Sequence, residues 1–267
     1  MTCELGVGSR ESGVDVRSAL PIRVGTAGWS IPRLAAQHFP GTGAHLERYA
    51  RVLNCAEINS SFHRPHAVKV YEKWAALTPA EFRFAVKMPR TVTHDAKLRR
   101  TRTLVSRFIS EASGLGPKLA VILVQLPPSL EFSARTGHAF FKLLRELWPG
   151  SVVFEPRHES WFGEEPDHLL MVHEISRVAT DPSRIKAAKV PGGWPGIIYY
   201  RLHGSPRKYW SRYPAERVAR WSTELLAVSH GSEAWCVFDN TASGAAIENA
   251  LELATMTRNR EIGTGRA

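Results

Sequence analysis

The sequence predicts an α/β fold, a single (β/α)8 TIM-barrel-like domain with parallel central strands and outer helices. Two observations carry that reading. Eight short β-branched or aromatic runs recur along the 267 residues, and amphipathic stretches separate most of them. Strands alternating with helices pair in parallel, and eight of them suit a closed ring better than an open sheet. A third observation weakens the main competitor. No glycine-rich dinucleotide fingerprint or phosphate-cradling Walker loop follows any run, as an open nucleotide-binding sheet would require.

The elements follow in order. Strands are expected at 22–28 and 54–59, with the amphipathic stretch 44–53 between them. A third strand at 82–87 follows the helical stretch 67–77, and a fourth at 119–125 follows 101–113, where Leu104, Phe108 and Ala112 recur at helical spacing. The stretch 134–148 repeats the pattern with Phe140, Leu143, Leu144 and Leu147 and leads to a fifth strand at 151–156. The chain is less regular around the sixth strand, 177–180, and Pro191-Gly192-Gly193-Trp194-Pro195-Gly196 predicts a loop. Strands at 197–203 and 234–239, with helices at 215–229 and 243–256, complete the series. The barrel is therefore expected over 21–256, between flexible tails at 1–20 and 257–267.

Composition narrows the setting. Hydrophobic residues make up 43% of the chain and charged residues 22%, which is globular rather than disordered. No apolar stretch approaches the roughly 20 residues of a spanning helix, and the first twenty residues lack the pattern of a secretory signal. Cys3, Cys55 and Cys236 have no metal-ligand spacing, so no membrane and a cytoplasmic location are the expectation. The net charge of +10 is concentrated in two places. Residues 83–107 hold Arg83, Lys87, Arg90, Lys97, Arg99, Arg100, Arg102 and Arg107 against Asp95 alone. Residues 201–220 hold Arg201, Arg207, Lys208, Arg212, Arg217 and Arg220 against Glu216. Positive potential of this kind favours anionic ligands; solvated helix surface is the plainer reading of the helical members. Nothing in the sequence sets an oligomeric state.

Barrel enzymes place their chemistry at the carboxyl ends of strands, and every second residue of a strand faces inward. Both rules together select a set. Glu57 and Asn59 end the second strand in phase, Lys87 ends the third, and Gln125 the fourth. Glu155 and Arg157 follow on the fifth, Arg201 and His203 on the seventh in phase with Tyr199, and Asp239 on the eighth. Six strands thus turn polar at the same end, and buried charges are costly unless paired or used.

The same segments carry ordered motifs: Gly25-Thr26-Ala27-Gly28-Trp29-Ser30, Glu57-Ile58-Asn59-Ser60-Ser61-Phe62, and Phe84-Ala85-Val86-Lys87-Met88-Pro89-Arg90 with Thr93-His94. Gln125-Leu126-Pro127-Pro128, Glu155-Pro156-Arg157-His158 with Trp161, Arg201-Leu202-His203-Gly204 and Phe238-Asp239-Asn240 follow. In these the chain, from about Ile22 to Leu253, closely resembles the YecE-like family, domain of unknown function 72. The resemblance implies a TIM-barrel-like fold and supplies no reaction. His63, Pro156 and Thr241 depart from the family pattern.

The expected function is an enzyme of hydrolase or isomerase type acting on a phosphorylated or other anionic small substrate at the carboxyl-terminal face. Arg157, Arg201 and Lys87 would hold the anion. Glu155 would transfer a proton, with Glu57 a further acid or base, because a carboxylate near an apolar wall can have its pKa raised toward neutrality. Glu57, Asn59, His203 and Asp239 would orient the substrate, and Trp29, Gln125, His158, Trp161 and Asn240 are further binding candidates. Structural ion pairing of Glu57 and Glu155 with Arg157, Arg201 or Lys87 is an equally good reading of those carboxylates. Glu57, Glu155, His203 and Asp239 also offer ligands for a divalent metal, against which the neighbouring cations argue. The alternative partner is nucleic acid, held by segments 83–107 and 201–220, the second of which interleaves basic and aromatic residues at Arg207-Lys208-Tyr209-Trp210.

Overall fold

Alternation along each run separates two environments, and the sheet curls to bury both. One face carries Cys55, Ala85, Val121, Leu123, Val153, Ile197, Tyr199, Trp235 and Val237, which pack together inside the ring. The opposite face carries Ile22, Val24, Ala56, Ile58, Phe84, Val86, Ile122, Val124, Val152, Phe154 and Phe238, which pack beneath the helices. The protein is described by a computed structural model over residues 20–264. The tail expected at 1–20 lies outside the described residues apart from Leu20, whose N–H donates to the Ser229 carbonyl. The boundary expected at 256 falls inside the last helix, which runs to Thr264; residues 265–267 lie outside the described range.

The strands are β1 (Ile22–Ala27), β2 (Cys55–Ile58), β3 (Arg83–Lys87), β4 (Leu119–Gln125), β5 (Ser151–Glu155), β6 (Ser176–Arg177), β7 (Ala179–Asp181), β8 (Gly192–Gly193), β9 (Ile197–Leu202) and β10 (Glu233–Phe238). Helices α1 (His45–Ala50), α2 (Ser60–His63), α3 (Val68–Ala76), α4 (Arg102–Ala112), α5 (Ala134–Leu147), α6 (Glu164–Val172), α7 (Ala215–Val228) and α8 (Ala245–Thr264) surround them. The strand order is β7-β9-β10-β1-β2-β3-β4-β5-β6-β8, parallel except for β6 with β8. The sixth position of the barrel is split. β6 pairs with β5 and β7 with β9, and the chain passes between them at Val178, whose N–H reaches the Phe154 carbonyl.

The loop expected at 191–196 is corrected in part, because Gly192 and Gly193 pair with Arg177 and Ser176. Glycine permits it: a Cβ at Gly193 would sit 2.6 Å from the Ile175 carbonyl oxygen, and its φ is +63°. Irregularity after the fifth strand also resolves into an element, α6. The amino end of the barrel is closed by Arg23, which donates to Glu233 at 3.2 Å and to the Glu81 carbonyl at 2.8 Å.

Candidate active site at the carboxyl end of the barrel

Arg201, near the end of β9, is fully buried and reaches three carboxylates from three other strands. Its Nε lies 2.9 Å from Glu57 Oε2 and its Nη2 2.6 Å from Glu57 Oε1, a two-pronged contact with β2. Its Nη1 donates to Glu155 Oε2 of β5 at 2.6 Å, and its Nη2 to Asp239 Oδ2, just past β10, at 3.1 Å. A planar guanidinium with five donors is the side chain that can serve three acceptors at once. Tyr199 donates to Glu57 Oε2 at 2.9 Å, and Gln125 to Glu155 Oε2 at 2.9 Å. Arg157 holds the other Glu155 oxygen through Nε and Nη2, at 3.2 and 3.1 Å. His203 Nδ1 is 3.0 Å from Asp239 Oδ2, and its buried Nε2 lies 3.5 Å from Glu155 Oε1 without a hydrogen-bond partner among the described residues.

These contacts fix the protonation pattern. Burial alone would raise the Glu155 carboxyl, but Arg201, Arg157 and His203 hold it well below the usual carboxylate range. Asp239 is lowered in the same way, against its burial, by its bond to His203 and the charge of Arg201. The expected rise of the Glu155 pKa meets the opposite direction here: Arg201, Arg157 and His203 favour its ionised form against its burial. The oxygens of Glu57, Glu155 and Asp239 converge on the Arg201 guanidinium, and among the described residues no group of three or more His, Cys, Asp or Glu is placed to hold a metal.

Lys87 differs from its neighbours. It ends β3, 8% exposed, with its Nζ 4.1 Å from the centre of the Phe62 ring and no carboxylate in ion-pair range among the described residues. Ser61 holds α2 against this strand end by donating to the Lys87 carbonyl at 2.7 Å. Burial first, and the Arg201 charge second, push the Lys87 ammonium down to about 8, against the pull of Glu155, Glu57 and Asp239. His94 sits beside Phe62, with ring centres 4.9 Å apart, and is lowered by burial and by Lys87, Arg90 and Arg157.

Beyond Glu155 and Arg157 a cavity of about 340 Å³ opens, lined also by Thr180, Ser183, Arg184 and Lys208. Of the two cations lining this cavity, Arg184 was not singled out in the sequence, while Lys208 was, within the basic-aromatic segment. Arg184 lies in an irregular loop after the split strand with no periodicity to place it. Tyr199 and Phe62 were missed too, although Tyr199 is in phase with Arg201 and Phe62 closes the motif that holds Glu57.

Four candidates are not brought into this cluster. Trp29 packs on Trp74 and Phe84, with ring centres 5.1 and 6.2 Å away. Trp161 is buried under the helices, donating its Nε1 to the Leu130 carbonyl at 2.9 Å. His158 bonds Ser160 Oγ at 2.9 Å and caps its own short turn. Asn240 follows Asp239 and turns away from it, donating to the Ser211 carbonyl at 2.9 Å and to Asn249 at 3.1 Å. Asn59 stands at the start of α2 with a buried Oδ1 that has no partner among the described residues.

The profile of the family described as "Protein of unknown function DUF72" matches residues 23–266. The chain is 33% identical over 175 residues to UPF0759 protein YecE of Escherichia coli K12 and 32% identical to that of strain O157:H7. Each match covers 63% of this chain and 62% of the relative, so it spans less than two-thirds of either YecE protein. A DUF72 family protein of Enterococcus faecalis superposes with a TM-score of 0.76 at 19% identity, over 89% of this chain and 96% of that one. One from Thermotoga maritima gives 0.73 at 25%, over 89% and 99%. The chain belongs to the DUF72 family.

Proposed function

We propose that this DUF72 protein is an enzyme of hydrolase or isomerase type acting on a phosphorylated or other anionic small substrate at the carboxyl end of its barrel. The observation that carries the reading is the cavity beside Glu155. It sets Arg157, Arg184 and Lys208 around the single carboxylate of Glu155, which Arg157 pairs, so that Arg184 and Lys208 give the space an excess of positive charge. Arg157 and Arg184 offer forked donors that match a phosphate or carboxylate, and Lys208 adds a mobile charge. Proton transfer falls to Lys87 rather than Glu155, because a group near 8 exchanges protons at neutral pH and a carboxylate paired on both oxygens does not. His203, whose Nε2 lies 3.5 Å from Glu155 Oε1 and whose Nδ1 lies 3.0 Å from Asp239, would orient these two carboxylates. Arg201, Glu57 and Tyr199 form the rigid support.

The test is a calorimetric titration with sugar phosphates and phosphomonoesters, followed by phosphorus and proton NMR for turnover. Wild-type protein is expected to bind at least one, Arg184→Ala to weaken that binding by about tenfold or more, and Lys87→Met to abolish turnover while still binding. Absence of binding across the set, or equal binding and turnover in both variants, refutes the reading.

A second reading, nucleic acid, is favoured by one feature of the same end. The loop after β9 exposes Tyr209 and Trp210, with Lys208 5.1 Å from the Tyr209 ring and Arg207 4.5 Å from the Trp210 ring. Aromatic faces beside cations suit stacked bases and a phosphate backbone. Binding of a single-stranded oligonucleotide should then fall steeply with salt, as released counterions require, and binding that is absent or indifferent to salt removes this reading.

A further inference from the structure

Independently of the barrel interior, the geometry points to a second anion site, for a phosphate-bearing ligand, in the groove between the amino ends of α4 and α5. The groove holds about 690 Å³ and is lined by Arg99, Arg100, Arg102 and Arg135 above an apolar floor that includes Phe140 and Leu143. Elsewhere some arginines meet acids, as Arg90 does Asp95, Arg107 Glu111, Arg177 Asp167 and Arg212 Glu252, while dispersed ones such as Arg33, Arg64 and Arg220 have no ion pair among the described residues; what sets the groove apart is that its arginines gather around one hollow. Here Arg102 is paired with Glu146 at 2.6 Å, and Arg99, Arg100 and Arg135 have no ion pair among the described residues. Like charges gathered around one hollow repel each other, and a bound anion is what relieves that repulsion.

Two further features belong to the same groove. Both helices are long enough, at 11 and 14 residues, to present an amino end with positive partial charge. Thr101, the residue before α4, lines the groove at 1% exposure, and its buried hydroxyl has no hydrogen-bond partner among the described residues. A hydroxyl in that position ordinarily caps the helix, and Ser133 does so for α5 by accepting from the Thr136 N–H. The loop that delivers these arginines holds Lys97, Leu98 and Arg100 at φ of 49°, 66° and 54°, a left-handed conformation that only a fixed local structure retains. Leu98, 4% exposed, anchors it.

The arginine rim selects phosphate, and the apolar floor accommodates a ring or chain attached to it. The source is either a small phosphorylated molecule or a phosphodiester strand. The test titrates full-length protein with pyrophosphate and compares Arg99→Ala/Arg100→Ala, Arg135→Ala and Thr101→Val with Arg157→Ala/Arg184→Ala, each checked for an unchanged melting temperature. The first three are expected to weaken binding, the arginine variants by about tenfold or more, and Arg157→Ala/Arg184→Ala to retain one binding event. Arg135 lies outside the strained loop, so its variant separates lost binding from lost folding. Displacement of pyrophosphate by a short oligothymidylate assigns the groove to a phosphodiester; failure to displace assigns it to a small phosphate. Binding lost in Arg157→Ala/Arg184→Ala but intact in the groove variants, or no binding to wild type, overturns the assignment.

Discussion

Lys87 and Arg201 are both cations on inward positions of barrel strands, and their surroundings give them opposite behaviour. Arg201 has three carboxylates and stays charged; Lys87 has an aromatic face and a like charge and tends to lose its proton. The consequence for stability has a definite sign. Folded Lys87 gives up its proton near 8 and an ordinary lysine near 10.5, so between those values the unfolded chain binds more protons. Stability must therefore rise with pH through that window relative to a chain lacking the group. Denaturant unfolding of wild type and Lys87→Met should show the difference growing in favour of wild type from about pH 8 to about pH 10.5, by up to roughly 3 kcal/mol. A difference that stays flat would mean that Lys87 is solvated. The sequence placed Lys87 at a strand end; it had no means of showing that the nearest carboxylates would be taken by Arg201.

At the scale of elements, one close approach sets the spacing of the first two strands. Gly25 on β1 faces Cys55 on β2, and a Cβ there would stand 2.1 Å from the Cys55 carbonyl oxygen. That atom is backbone and cannot swing aside, so Gly25→Ala should push the strands apart and cost about 1–3 kcal/mol or more. Gly231→Ala, whose Cβ would meet nothing within 4 Å, is the control and should stay within about 0.5 kcal/mol of wild type. Equal melting temperatures for the two variants would contradict the pairing of Gly25 with Cys55. Helices were legible because their apolar residues recur at a fixed spacing. The split of β6 and β7 and the pairing of β8 were not, because two- and three-residue strands have no period to detect and glycine pairs carry a loop signal.

For the whole molecule, Arg201 is a fastener that joins β2, β5, β9 and the end of β10 across the ring. Glu155 and Asp239 are held below their ordinary range, so their contribution is complete above ordinary carboxylate pH and is lost as pH falls through the lowered values. Replacing Arg201 by Met reverses part of this by leaving three carboxylates, buried or nearly so, without the cation they share, although Arg157 still faces Glu155 and His203 still faces Asp239. The variant should lose about 3–5 kcal/mol at neutral pH. Part of that deficit should return as pH drops toward about 5, where carboxylates freed of the cation protonate. Urea unfolding of both proteins across that range is the measurement. A deficit that is constant with pH would mean that Arg201 acts by packing rather than charge.

Alternation in two-residue steps and helical spacing are local properties of the chain, so the barrel, its strand sequence and the inward set of polar residues were determined by the amino-acid order. Which inward groups neutralise one another was decided only when the ring closed, because Glu57 and Arg201 are 144 residues apart and meet through curvature rather than spacing. Closure surrounded Glu155 with Arg201, Arg157 and His203, which favour its ionised form, and left Lys87 with its pKa lowered. Trp161 and Asn240 lie beyond the ends of β5 and β10, where strand alternation no longer fixes which way a side chain faces.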